Sequence, residues 1–258
     1  MTGEEEYSQL SEYANQRRQE LTGMLSPFIG IIDRYGILLC KITAVVGHLP
    51  PVSTQDRVIR DLMADVFDFL WEWRRPLLEG RVQVAYPLAR RAYESISLLS
   101  ICAQDSSFAE KWESGKEIKN AAIRSALAGA SFPENEESLR ELYRFFSQAG
   151  HPNRGLVGYR FLGEGNEFVL GSIGKPSLVL IADHFTRMTQ LWFWFAAVVS
   201  YFFREVVVKE YPSFGDDYLA IADEARNALG VLKGEFQRLL KEETQYHYSI
   251  HNGGQATE

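Results

Sequence analysis

Between Ser53 and Gly80 the apolar side chains Ile59, Leu62, Met63, Val66, Phe67, Leu70 and Trp73 recur at three- and four-residue steps. That spacing places them on one face of an α-helix, and Ser53, three residues before Asp56, predicts the N-cap. The far side carries Asp61, Asp65, Asp68 and Glu72. It reads as a solvated face, because a carboxylate-bridged metal bundle would also need Glu-x-x-His pairs on further helices, and the chain has none.

The same periodicity predicts helices over residues 4–24, over 28–49 up to Pro50-Pro51, and over 82–104 after the break at Gly80. A more exposed helix follows over 106–130. Pro133 and the acidic Glu134, Glu136 and Glu137 start another, with Leu139, Leu142, Tyr143 and Phe146 facing inward. Lys175-Pro176-Ser177 opens a long helix to about Glu210, and a last one runs from Asp216 to about Thr244. After Arg154-Gly155 the period changes to two: Val157, Tyr159 and Phe161 alternate, Gly163-Glu164-Gly165-Asn166 supplies a turn, and Phe168 to Leu170 can pair back. The expected fold is all-α, a multi-helix bundle with a small β-hairpin insert at about 156–171. It forms one domain over 1–258, with N-terminal helices at 4–79 and a core at about 80–250. In the last helix, Tyr218, Ala222, Ala225, Leu229, Leu232, Phe236 and Leu239 form a seam suited to a helical neighbour, within the chain or in a homodimer.

Composition sharpens this picture. With 46% hydrophobic and 13% aromatic residues the chain can bury a real core, which removes disorder as the default. The block Leu191 to Phe203 falls short of the roughly 20 apolar residues a bilayer requires, so it reads as a central helix buried on all sides, with no membrane partner. A net charge of −7 argues against a surface that coats itself with nucleic acid, while leaving room for a local basic pocket. Cys40 and Cys102 lack metal-ligand spacing and are expected to be buried apolar residues in a reducing cytoplasm. The acidic N-terminus has no signal-peptide pattern.

Candidate chemistry gathers in Arg144-Phe-Phe-Ser-Gln-Ala-Gly-His-Pro-Asn153, where Gly150 and Pro152 should end a helix. One further helical turn would put Arg144, Ser147 and His151 on a shared face: a cation for phosphate, a hydrogen-bond partner and a general base. Arg90 or Arg91 could add charge from an earlier helix, and Arg90 and Glu94 stand one turn apart. A structural alternative is equally concrete: Ser147 and His151 cap the helix end, and Arg144 pairs with Glu94. Near the C-terminus Glu243, His247 and His251 stand at four-residue steps able to hold zinc or nickel, but three ligands from one helix are seldom enough, and no metal site is assigned.

Arg144, six intervening residues and His151 fit the Arg-x4-6-His spacing of the HEPN superfamily, helical bundles that include metal-independent ribonucleases, toxins and antiphage effectors. The segment Leu88-Ala89-Arg90-Arg91-Ala92-Tyr93-Glu94, then Leu142-Tyr143-Arg144-Phe145-Phe146-Ser147 and His151-Pro152-Asn153, also resembles a set of bacterial helical proteins with a Leu-Ala-Arg-x-x-x-Glu helix and a later Ser-x-x-x-His-Pro/Ser turn. The resemblance covers about residues 80–175. It implies that Arg144 and His151 are catalytic, polarising a phosphate and activating a ribose 2′-hydroxyl, with Arg90, Glu94, Ser147 and Asn153 in support. It further implies an RNA partner, no metal and no cofactor. Phe145, where active members carry a polar residue, and Pro152 depart from that pattern. The competing expectation is a non-catalytic module that binds a protein partner, with the same residues as a structural lock.

Overall fold

A computed structural model describes residues 3–129, 136–150 and 177–252 of the chain. Among these residues there are ten helices and no strand: α1 (Gly3–Met24), α2 (Ser26–Gly47), α3 (Thr54–Leu78), α4 (Val82–Gln104), α5 (Ser106–Glu113), α6 (Asn120–Gly129), α7 (Glu136–Gly150), α8 (Leu178–Phe202), α9 (Arg204–Glu210) and α10 (Phe214–Asn252). The hairpin expected at about 156–171 lies outside the described residues.

The apolar stripe of α3 is the centre of the bundle. Val58, Ile59, Val66, Leu70 and Trp73 are wholly buried there. They pack against α4, which in turn carries α7 and α8 on its other sides, while α2 backs α8 and α10. Ser53 caps α3 as its position predicts, its Oγ accepting from the Asp56 backbone N–H at 3.0 Å. Ser177 caps α8 in the same way, accepting from Leu180 N–H at 3.2 Å. Deep between α3, α4 and α8, Trp73 Nε1 donates to His184 Nδ1 at 3.1 Å, and Tyr86 meets the same imidazole edge-on at 4.4 Å. Burial, with a smaller contribution from Arg187, pushes the His184 pKa down to about 3, so the ring is neutral and accepts through Nδ1.

The turn between α3 and α4 is closed by geometry and by charge. Gly80 takes φ 73°, and the Gly80 and Arg81 N–H groups donate back to Leu77 and Pro76 carbonyls at 3.0 and 2.7 Å. This is the Schellman ending, in which a left-handed residue lets two orphan carbonyls be met. Beside it the buried Glu79 carboxylate accepts from Arg18 of α1, from Arg75 at 3.2 Å and from Arg81 at 3.0 Å. Burial alone raises its pKa, and the three guanidiniums together outweigh that and hold it below the usual carboxylate range.

Four expectations are corrected. The helix over 106–130 is two helices, because Gly115 at φ 70° ends α5 with a second Schellman pair, to Trp112 and Lys111 carbonyls at 2.9 and 3.1 Å. The helix over 177–210 is also two: α8 and α9 meet at 90° around Phe203. No single helix among the described residues is long and apolar enough to cross a membrane. Nor is α8 buried on all sides, since Phe193 and Tyr201 are exposed. Finally, Cys40 is exposed, on the outer face of α2, whereas Cys102 is buried and its thiol pKa is pushed up to about 12 by burial.

Candidate functional site

The alternation of large and small side chains on α4 leaves one polar edge, and α6 and α7 dock along it. Tyr93 of α4 donates its hydroxyl to the Leu139 carbonyl of α7 at 2.8 Å, fixing where α7 lies. Two turns further on, Phe146 is fully buried between Tyr93 and Trp73, with ring centroids 5.8 and 5.9 Å away. These anchors set the rotation of α7, so Tyr143 lies over the edge of α4 and Arg144, the next residue, faces solvent.

Arg90 and Glu94 meet there as expected, Nε to Oε1 at 2.9 Å. Arg90 Nη2 also donates to the Tyr143 hydroxyl at 3.2 Å, and Asn120 Nδ2 of α6 donates to the same Glu94 oxygen at 3.0 Å. Both charged side chains are largely covered, at 28% and 18% exposure. The hydrogen bond to Glu94 is the main cause that holds the Arg90 pKa above its ordinary value. Arg124, one turn along α6 from Asn120, brings a second guanidinium onto the Tyr143 ring: its carbon lies 4.4 Å from the centroid, against 5.6 Å for Arg90. Cations are drawn to a ring face by its quadrupole, the more so where water is partly excluded.

The charges in this cluster do not balance. Arg90 and Arg124 both approach the Tyr143 ring, and among the described residues Glu94 is the carboxylate bonded to Arg90, while Arg144 stands in solvent one residue along. Arg124 Nη1 is buried without a hydrogen-bond partner among the described residues. So is the Oγ of Ser147, one turn beyond Tyr143 on the same side of α7. A partly covered surplus of guanidinium with open donors is a place for an anion.

Of the residues singled out from sequence, Arg90, Glu94 and Ser147 come together around Tyr143, and Arg144 stands at the solvent edge of that group. His151 and Asn153 lie outside the described residues. The Arg144–Glu94 tie is not formed, because Arg90 and Asn120 occupy that carboxylate. Arg91 turns the other way, 3.5 Å from Asp65, which also accepts from Ser95 Oγ at 2.5 Å. That part of the acidic face of α3 is therefore engaged with α4 and not simply solvated. Asn120 and Arg124 escaped the sequence reading; their four-residue spacing on a helix was the available signal. The α10 helix persists through Asn252, past positions 243, 247 and 251, whose side chains lie outside the described residues; no group of potential metal ligands occurs among the described ones. No family model, curated protein or solved structure matches the chain.

Proposed function

We propose that the cluster around Tyr143 is a phosphate-binding site for RNA and that the chain is an RNA-directed effector of the HEPN-like kind. The observation that carries this reading is the buried Nη1 of Arg124, without a hydrogen-bond partner among the described residues, on the Tyr143 ring that Arg90 also approaches. In this reading Arg124 and Arg144 hold the phosphodiester, and Glu94 fixes Arg90 in place. His151, in the role the family resemblance implies, takes the proton of the ribose 2′-hydroxyl. The 2′-oxygen then forms a bond to phosphorus as the bond to the 5′-oxygen breaks, and the departing oxygen takes up the proton that His151 removed from the 2′-hydroxyl. The products are a 2′,3′-cyclic phosphate and a 5′-hydroxyl. Every group in the step belongs to the chain or the RNA, and DNA, lacking the 2′-hydroxyl, is not cleaved.

The test is incubation of the purified chain with single-stranded RNA in EDTA. Cleavage is expected to persist in EDTA and to be lost in His151→Ala, with Arg124→Ala and Arg144→Ala weakening RNA binding. Loss in EDTA together with full activity of His151→Ala overturns the assignment.

A second reading is favoured by one specific arrangement: Glu94 is shared by Arg90 and Asn120 while Arg90 reaches Tyr143, so a single carboxylate ties α4, α6 and α7. On that reading the cluster is the lock of a non-catalytic module. No RNA is bound or cut, and Arg124→Ala alters stability alone.

A further inference from the structure

Beside the guanidinium cluster α7 also borders a hollow where the bundle does not close. Leu139 and Leu142 of α7, Ala103 near the end of α4, and Trp194 and Ala197 of α8 surround a cavity of about 1080 Å³ whose fourth side is α10. Alanines at 103, 197, 222 and 225 stand among larger apolar side chains in the wall, and where they face the cavity their short side chains leave space unfilled. The volume is at the upper end of that of small-molecule sites, and the lining is mainly apolar, with a few polar groups.

One of those polar groups is out of place in an apolar wall. Tyr35 of α2 is entirely buried where it lines the cavity, and its hydroxyl has no hydrogen-bond partner among the described residues. The ring itself is fixed, edge-on to Phe193 at 6.5 Å and to Tyr218 at 6.4 Å. A buried hydroxyl left unpaired is a standing cost that phenylalanine at the same position would avoid. Among the charged lining residues Arg187 is paired with Asp183 at 2.9 Å and Arg226 with Asp223 at 3.1 Å, while Glu141 adds an exposed carboxylate. The rim therefore offers an anionic ligand no unpaired cation among the described residues.

We infer that this cavity is a binding site for an uncharged, largely apolar small molecule, of aromatic or alicyclic type, whose single hydroxyl or carbonyl group pairs with the Tyr35 hydroxyl. It is distinct from the Tyr143 cluster and does not depend on the RNA reading. An apolar body fills the space, and the polar end pairs with the open Tyr35 hydroxyl. A formal charge on the ligand would be stripped of water in the apolar body of the cavity.

The experiment compares 2-naphthol with naphthalene by calorimetry and by quenching of tryptophan fluorescence, on the full chain without RNA. 2-Naphthol is expected to bind saturably at one site, and about 5- to 10-fold more tightly than naphthalene. Tyr35→Phe should remove that difference by weakening 2-naphthol alone, since it deletes one oxygen from a ring whose packing is retained. Ala197→Phe, on the cavity wall, should weaken both compounds by 10-fold or more. Absence of saturable binding up to the solubility limit overturns the inference. So does equal binding of the two compounds, or a Tyr35→Phe protein that still prefers 2-naphthol.

Discussion

Glu94 and Arg144 sit within one cluster yet should behave as opposites when replaced. Glu94→Ala strips a largely buried Arg90 of its main partner and leaves Asn120 without an acceptor, a loss of about 2 kcal/mol, or about 4–8 °C in Tm by thermal melting. Arg144→Ala removes an exposed side chain and should leave Tm within about 2 °C of the parent, because solvated positions rarely contribute more than about 0.5 kcal/mol. Tyr35→Phe should raise Tm, by about 2–4 °C, because it removes a buried hydroxyl without a hydrogen-bond partner among the described residues. At this scale the sequence was readable where partners are near neighbours along a helix: Arg90 and Glu94, four residues apart, form the pair expected of them. It was silent on Arg124, Asn120 and Tyr35, whose significance comes from residues distant along the chain. Nothing local marks a tyrosine hydroxyl as unpaired.

Helix ends tell a similar story one level up. Ser53 and Gly80 carry their own stereochemistry, a side-chain acceptor for an orphan amide and freedom to adopt positive φ, and both end α3 where expected. Gly115 offered the same cue inside what reads as one helix, and its Lys- and Glu-rich surroundings concealed it. Phe203 offered none: aromatic residues flank the 90° corner and neither glycine nor proline marks it, so the packing of α9 on α2 and α8 decides the turn. Two buried polar groups make the joints between elements sensitive to acid. Glu79, held low by Arg18, Arg75 and Arg81, adds stability that is present above the unfolded carboxylate pKa and is lost as pH falls through its lower folded value. His184 has the same sign for a different reason. The unfolded chain takes up a proton below about pH 6.5 and the folded ring does not until about pH 3, so stability declines across that window by up to about 1.4 kcal/mol per pH unit. Urea unfolding from pH 7 to pH 4 should show that slope in the parent and a shallower one in His184→Gln.

The whole molecule carries a net charge of −7, and its surplus of positive charge at Tyr143 is local. RNA binding there should therefore involve about three phosphates, giving a slope of about −2 in log affinity against log salt concentration, far shallower than for a basic surface. Filter binding between 50 and 200 mM salt, as order-of-magnitude working concentrations, checks this. The all-α class and the placing of most helices were legible because amphipathic spacing repeats over many residues. How those helices leave a hollow between α4, α7, α8 and α10 was not, because a void is a property of shapes meeting. That hollow and the guanidinium cluster share one rod, α7, whose Leu139 and Leu142 wall the first while Tyr143 supports the second. An occupant of either that tilts the rod disturbs the other. Thermodynamic reciprocity then fixes the bookkeeping: by whatever factor 2-naphthol changes the affinity for RNA, RNA changes the affinity for 2-naphthol by the same factor.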